Sequence, residues 1–494
     1  MNYGHLTHAE LVQLLEERDR QIAALKLEIE QIKRMIIGSK SERFVPAQLP
    51  DQLNMFGDQS KEAGESEEAT ETQVEVAVVK KRKIRKNGGR KKLPAHLERQ
   101  EMILQPPVDT TDMKVVGQEE TEKLEMTPIQ FFVRKIVRVK YVDPNGRFHI
   151  AELPSDPFGR FIVGSSVAAQ VSVNKYIDHL PLHRQSKIFK RQDIDLPVST
   201  LNDLIKRTTY LLKPIYEAMR VKILQSDYLQ ADESSIPVMT KDNPGSTMKG
   251  CMLVKLAPLE GLSVFEYIRT KHKENLLSRL EGFKGRLQVD GNVSYEGMKI
   301  KEDVRLMHCL VHSRRYFDRA KDYDYQNASH ALVEIQKIYQ IEQEGEDAHL
   351  SSEDLRELRQ QKAVPILDDL RDWLEEKSLH IIPGTPMGKA VMYMLKRWEG
   401  LKEYTTDGRL RPDNNLIENQ IRPLALGRKN YLFAGSHQGG DYAAMMYTFF
   451  ATCRLNNLEP QKWLLDVLNR IEDHPINRIE ELIPTKDYQF TTKS

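Results

Sequence analysis

Three carboxylates carry the chemistry that this sequence offers. Asp232 ends the apolar run of "DYLQADESSIPVM" and Asp290 ends that of "GRLQVDGNVSYEG", so each reads as leaving the end of a short strand. Glu418 lies in "RPDNNLIENQIRPLALGRKNYLFAGS", residues 411 to 436, which reads as a helix beginning near Asp413. Side chains at neighbouring strand ends meet in one cleft, and an acid on a helix packed across the sheet completes a cage. Three carboxylates in one cage repel each other, and hard divalent cations that prefer oxygen resolve that repulsion. Two Mg²⁺ ions about 3.5 to 4 Å apart then activate an attacking oxygen and stabilise a leaving one at a phosphodiester. Taken one at a time, each acid reads more simply as a cap or a solvated surface group, and spacing alone does not decide.

The 411 to 436 segment adds amides and cations to its carboxylate. Asn414 and Asn415 are positioned to cap the helix, and Pro423 should bend or end it. Arg422, one turn beyond Glu418, shares its face, where it contacts a phosphate, orients the carboxylate, or forms an ordinary i, i+4 ion pair. Arg428 and Lys429 read as phosphate contacts in a Gly-containing loop.

The elements that must position these residues follow from periodicity. Leu15, Ile22, Ile29 and Ile36 occupy one seam of a heptad pattern, and β-branched residues there favour a two-stranded coiled coil; packing onto the parent domain is the alternative. Residues 58 to 75 hold seven acids and one Lys and read as part of a disordered linker. Residues 80 to 92 hold nine Lys or Arg, including Lys81, Arg82 and Lys83, and read as an arm that attracts a polyanion or merely solubilises. In "IQFFVRKIVRVKYVDPNGRFHIAEL" alternation predicts a hairpin with an apolar face and a basic one bearing Arg134, Arg138 and Lys140. Leu182 to Arg191 and "STLNDLIKRTTYLL" then predict two helices joined by "QDIDLP", the second capped by Ser199 or Thr200. That pair, with Lys187, Lys190 and Arg191 on its first helix, suits DNA docking and also suits an ordinary bundle. Further strands are predicted in "CMLVKLAPLEGLSVFEYI" and from Val304, and helices over 328 to 402 and at the C-terminus.

At 494 residues the chain is long enough for several domains, and 73 basic against 72 acidic residues name no partner by net charge. Cys251, Cys309 and Cys453 are too far apart for a disulfide framework or a CxxC zinc site, which predicts a reducing compartment. With no leader-like N-terminus and no bilayer-length apolar stretch, a cytoplasmic protein without a membrane partner is expected.

Six stretches taken together resemble the insertion sequence 66 transposase family, the TnpC-type DDE transposases of bacterial mobile elements. They are "KYIDHLPLHRQSKIFKRQDIDLPVSTLNDLI", "ADESSIPV", "LQVDGNVSYE", "CLVHSRRYFD", "DNNLIENQIRPLALGRKNYLFAGS" and "RLNNLEPQKWLLDVLNRIEDHPINRIEELIP". The resemblance implies an α/β fold with a ribonuclease-H-like core and places the family's catalytic, metal-binding acids on Asp232, Asp290 and Glu418. It also implies Mg²⁺ or Mn²⁺, two ions, and double-stranded DNA, both element ends and target, as partner. A homodimer or higher assembly on DNA is expected, along with accessory proteins of the same element. The family's Cys and His signature falls on Cys309 and His312; two ligands cannot fill a tetrahedral zinc site, so Cys309 reads as a small buried residue and no zinc is expected. His312, with Arg314 and Arg315 beside it, is a hydrogen-bonding or phosphate-contacting candidate. Many relatives carry a cysteine zinc ribbon before the hairpin, whereas this chain has no cysteine before Cys251.

The organisation expected is a coiled coil over 1–45, an acidic linker over 46–79, a basic arm over 80–97 and a β-hairpin region over 98–160. A helix-turn-helix-like region over 161–225 precedes a core split into 226–323 and 409–494 by a helical insertion over 324–408. Cleavage at element ends and strand transfer is the activity implied. A catalytically silent DNA-binding regulator and a hydrolytic nuclease of the same fold are the alternatives.

Overall fold

A computed structural model describes residues 97–491 except 108–112, 128–129, 160, 241–244 and 301–302, together with residues 18, 93 and 95. Apart from Arg18, the heptad run and the acidic linker lie outside the described residues, as do Lys81, Arg82 and Lys83 of the arm.

The predicted hairpin is one edge of a larger sheet. Strands β1 (Arg99–Leu104), β2 (Lys114–Thr127), β3 (Gln130–Val142) and β4 (Phe148–Ile150) form a four-stranded sheet with β3 between β1 and β2 and also pairing with β4. The β3–β4 turn is the expected one, with Gly146 at φ +78° and the Asp143 carboxylate accepting from the Asn145 and Arg147 amides. The basic face expected on β3 is neutralised, because acids of the long partner β2 oppose it. Arg138 meets Glu119 at 2.5 Å and Lys140 meets the same carboxylate at 2.6 Å. Exposed pairs of this kind each contribute under about 1 kcal/mol. Their alternation with buried Leu124, Val133, Val137 and Tyr141 lets a sheet without cysteine keep one apolar face.

Helices α1 (Ser165–Tyr176), α2 (Leu182–Lys190) and α3 (Val198–Ile223) follow. The second of the predicted helix pair starts at Val198 after Pro197, with no side-chain cap from Ser199 or Thr200, and runs on through Pro214. Its buried side, from Leu201 through Ile215 to Ile223, belongs to the core shared with the central sheet, so α3 is packed as a scaffold. Helix α2 leaves His183, Arg184, Lys187, Lys190 and Arg191 exposed.

The central sheet comprises β5 (Tyr228–Met239), β6 (Thr247–Ala257), β7 (Leu262–Ile268), β8 (Gly285–Val289) and β9 (Val304–His308), in the order β7-β6-β5-β8-β9. The first three are antiparallel, while β8 and β9 run parallel to β5. A short helix α4 (Lys273–Ser278) precedes β8, and α5 (Leu310–Ala320) leaves β9. The edge strand β7 is covered by a C-terminal helix whose Thr448 and Thr452 hydroxyls accept from the Phe265 and Ser263 amides at 2.9 and 3.2 Å. From α3, the Tyr216 hydroxyl donates to the Phe265 carbonyl at 2.6 Å. Side chains thereby satisfy backbone groups that an open edge would leave for another chain.

The helical insertion contains α6 (Tyr325–Asp347), α7 (Ser352–Leu358), α8 (Val364–Ser378), α9 (Pro386–Leu395) and α10 (Trp398–Lys402). Ser351 caps α7, its hydroxyl accepting from the Asp354 amide at 3.2 Å. The insertion has its own core, which reaches Met307, Leu310 and Phe317 at the sheet's far side. Arg359, 1 % exposed, binds both Glu342 carboxylate oxygens and the Tyr404, Asp407 and Leu410 carbonyls, so it fixes the path by which the chain returns to the sheet. The chain then forms α11 (Asn415–Tyr431), α12 (His437–Leu455) and α13 (Pro460–Arg470). Among the described residues no helix is long and apolar enough to cross a membrane.

Candidate active site

The two aspartates are brought together by strand register. Both strands carry the same four-residue pattern, Leu229-Gln230-Ala231-Asp232 and Leu287-Gln288-Val289-Asp290. Because β5 and β8 are parallel with Gln230 beside Gln288, the positions two residues further on share a face at the strand spacing of about 5 Å. Each carboxylate accepts from a nearby backbone amide: Asp232 from Glu233 at 2.6 Å and Asp290 from Asn292 at 2.8 Å. Glu233, on the other face of β5, is almost fully buried; one carboxylate oxygen takes bonds from Asn292 Nδ2 at 3.0 Å and Lys271 Nζ at 2.6 Å.

Glu418 reaches the same place because α11 is tied along β5. At its start, Gln230 accepts from the Ile417 amide at 3.2 Å and donates to the Asp413 carbonyl at 3.1 Å. Gln288 donates to the Arg411 carbonyl at 2.9 Å, and the two buried glutamines join each other and the Tyr228 hydroxyl. Near its end, Arg428 donates to the Ser235 carbonyl and to its hydroxyl. Beyond Leu432, at φ +63°, Ala434 exchanges backbone bonds of 2.9 Å with Pro237 and Met239. The helix does not end at Pro423: buried Ile417, Gln420, Leu424 and Gly427 lie on both sides of it, and their packing carries the helix through. Nor do the asparagines cap. Asn414 occupies the cap position with no side-chain bond to the helix, its amide donates to Cys309 Sγ at 3.4 Å, and Asp413 accepts from the Asn415 amide at 3.1 Å.

The electrostatics record the proximity of the three acids. Burial first, then Asp290, Glu418 and Glu233, hold the Asp232 carboxyl well above the ordinary carboxylate range, against the pull of the Glu233 amide. Glu418 is pushed up to about 7, chiefly by burial, with Arg315 and Arg422 opposing and Asp413 and Asp290 adding to the rise. Among the described residues no three His, Cys, Asp or Glu side chains form a ready-made metal cage. Asp232 and Asp290 each rest an oxygen on a backbone amide instead. This all-oxygen donor set, in which Asp290 and Glu418 raise the proton affinity of Asp232, suits a hard divalent cation, since the cation replaces the proton that repulsion recruits.

His312 Nε2 lies 4.0 Å from Glu418 Oε1, yet burial and then Arg315 push the imidazole down to about 3, so it stands neutral there and forms no ion pair. Arg314, Arg315 and Arg422 make no ion pair among the described residues, and the expected Arg422–Glu418 bridge is absent. Arg428 is not in a loop: burial lowers its proton affinity and its guanidinium is turned onto β5, which makes it a tie within the fold. Lys429, in the last turn of α11, is exposed. Cys251, Cys309 and Cys453 are all buried free thiols.

Residues 160–442, well over half of the chain, match the family described as Transposase IS66 family. Residues 448–485 match its C-terminal element, and 24–102 match the region described as Transposase C of IS166 homeodomain. The chain belongs to the IS66 transposase family. Two relatives from Sinorhizobium fredii (strain NBRC 101917 / NGR234) align over almost the full length. Uncharacterized protein y4hP is 31 % identical over 94 % of this chain and 88 % of its own, and y4jD is 29 % identical over 97 % of each. Uncharacterized protein YuaK of Escherichia coli (strain K12) is 45 % identical over 49 residues, 10 % of this chain.

Several residues that shape this IS66 site were not singled out in the sequence. Gln230 and Gln288 could have been found from the repeated Leu-Gln-x-Asp pattern, since a Gln inside an apolar strand signals a buried polar network. Glu233 stands beside the first aspartate and gave no separate signal. A cavity of about 720 Å³ lies away from the acids, between α3 and α12, and its Arg220 is already paired with Glu217 and Glu266.

Proposed function

We propose that this chain is a DDE transposase, which cleaves DNA at the ends of its mobile element and transfers those ends into target DNA in the cytoplasm. The observation that carries the reading is the parallel register that sets Asp232 beside Asp290 under the helix bearing Glu418, on a β7-β6-β5-β8-β9 sheet. Three antiparallel strands followed by two parallel ones, with one acid within the first strand of the parallel set, one at the end of its neighbour and one on a covering helix, support a ribonuclease-H-like core. Asp232, Asp290 and Glu418 would hold Mg²⁺ or Mn²⁺, and two such ions supply Lewis-acid activation of the attacking and leaving oxygens of a phosphodiester.

The chain's own part is binding, orientation and charge. Arg315 and Arg422, which oppose the raised proton affinity of Glu418, would contact phosphate beside it, Arg314 and exposed Lys429 would add further phosphate contacts, and neutral His312 would offer a hydrogen bond. Such contacts position a duplex without reading its sequence. The exposed Lys187 and Lys190 of α2 and Arg191 after it would contact further phosphates, as would Lys81, Arg82 and Lys83 of the arm, and the heptad residues would supply the seam of a dimer. Water attack would expose a 3′ hydroxyl at each end, and that hydroxyl would then attack target DNA in line; no covalent protein intermediate is required.

Strand joining separates this reading from a hydrolytic nuclease of the same fold. Given a pre-cut element end with a free 3′ hydroxyl, a supercoiled target plasmid and Mg²⁺, the protein should yield joined products. Cutting of intact ends with no joining would assign the chain to hydrolysis instead.

A further inference from the structure

We infer that Tyr393 and Arg397, contributed by the helical insertion, are positioning residues for Asp290, and that bracing this aspartate is a task of the insertion. The inference rests on the transposase reading for its consequence, though not for its geometry. Asp290 leaves β8 into a turn that the sheet alone does not hold. The Tyr393 hydroxyl donates to the Asp290 carbonyl at 2.7 Å, and Arg397 Nη2 donates to the next carbonyl, that of Gly291, at 2.8 Å. Two consecutive carbonyls of the turn are therefore claimed by residues more than a hundred positions away.

The brace is itself rigid. Tyr316, on α5, stacks on the Tyr393 ring at 4.2 Å and 23°, and the Arg397 guanidinium lies 4.0 Å from that ring's centroid. Gly291 is the residue that lets the brace come close. Its φ is +94°, and a Cβ there would stand 2.3 Å from the Tyr393 hydroxyl and 2.7 Å from Arg397 Nε, so any side chain is excluded twice over. From the opposite side Asn292 donates to Glu233, and its own carbonyl oxygen Oδ1 accepts from the Ser294 amide at 3.0 Å. The turn is gripped between β5 and the insertion, while among the described residues the Asp290 carboxylate accepts a hydrogen bond only from the Asn292 amide. A ligand carboxylate has to be held close to its productive geometry by its surroundings, and here the insertion does so through the backbone carbonyls of Asp290 and Gly291.

The test uses the full chain with Tyr393→Phe, which removes one hydroxyl and keeps the stack, and with Arg397→Lys, which keeps the charge and loses the planar fork. Amide exchange over residues 290–296 of the metal-free protein is read first, because it needs neither metal nor DNA. Losing one net hydrogen bond of about 1 kcal/mol should speed exchange roughly fivefold in that segment and leave α3 and α12 unchanged. A Mn²⁺ titration followed by the resonance of the free ion should show weakened binding of similar size, with duplex binding and melting temperature close to wild type. Unchanged exchange and unchanged Mn²⁺ affinity in both variants would overturn the inference. If the wild type binds no Mn²⁺ and cuts no DNA, the transposase reading fails while the exchange result still decides whether the brace exists.

Discussion

Glu418→Gln should stabilise the metal-free protein above neutral pH while removing a group that the proposed chemistry needs. In the folded chain this carboxyl is pushed up from 4.5 to about 7, with burial as the first cause. A folded-state value above the unfolded one means that the folded protein binds the proton more tightly. The associated stability is present below about pH 4.5 and is lost as pH rises to 7 and beyond. The side chain is only 18 % exposed, so solvent screening reduces this little, and the full loss is on the order of 3 kcal/mol. Glutamine keeps the shape and carries no charge. In EDTA the variant should therefore melt several degrees above wild type at pH 8, and the gap should narrow steadily as pH is lowered to 5. Thermal melts of the two proteins at four or five pH values in that window suffice, and a gap of constant size would show that Glu418 does not titrate as described. Added Mg²⁺ should stabilise wild type and not the variant, because the cation replaces the proton on the carboxylate.

The second large effect belongs to the buried glutamines. Gln230→Leu removes the acceptor of the Ile417 amide and the donor to the Asp413 carbonyl, and also a partner of Gln288. Gln230 and Gln288 are fully buried, so water does not take over the orphaned groups. Each such group costs about 1 to 3 kcal/mol, which sets the expected loss at roughly 3 kcal/mol or more for Gln230→Leu and a similar figure for Gln288→Leu. The double variant should lose less than the sum, since each single change already breaks the shared bond. Denaturant titration of the three proteins measures this. Activity should fall further than stability does, because the first turn of α11, and with it Glu418, is released from the strand that carries Asp232. Full additivity of the two losses would mean that the glutamines act separately.

How far the sequence reached depended on whether a signal was local. The strand end at Asp290 was legible because the apolar run stops there, and the helical insertion because its periodicity is long, whereas Asp232 lies inside β5, which runs on to Met239 by pairing with β6 through residues too polar to read as a strand. The family resemblance tied the three acids together where spacing alone left them separate. Of the two outcomes expected at Pro423, a bend or an end, the end does not occur, because packing on both sides carries α11 through it. Arg428 was placed in a loop and offered to DNA, whereas it holds the helix to Ser235. The basic face of β3 was legible and its neutralisation was not, because β2, whose Glu119 pairs with it, carries too many charges to read as a strand by alternation. Tyr393 and Arg397 gave no signal, since nothing local in "MYMLKRWEG" marks a side chain that will meet a turn a hundred residues earlier.

The central claim is that Asp232, Asp290 and Glu418 act as one site on DNA. The measurement that tests it most directly is cutting of a duplex carrying the DNA that flanks the reading frame, in Mg²⁺, by wild type and by Asp232→Asn, Asp290→Asn and Glu418→Gln. Wild type should cut at the element ends only when the metal is present. Each variant should lose on the order of a thousandfold in rate while binding the same duplex as tightly as wild type. A variant of any one of the three that cuts at the wild-type rate would contradict the account, as would a wild type that binds the ends and never nicks them with Mg²⁺ or Mn²⁺.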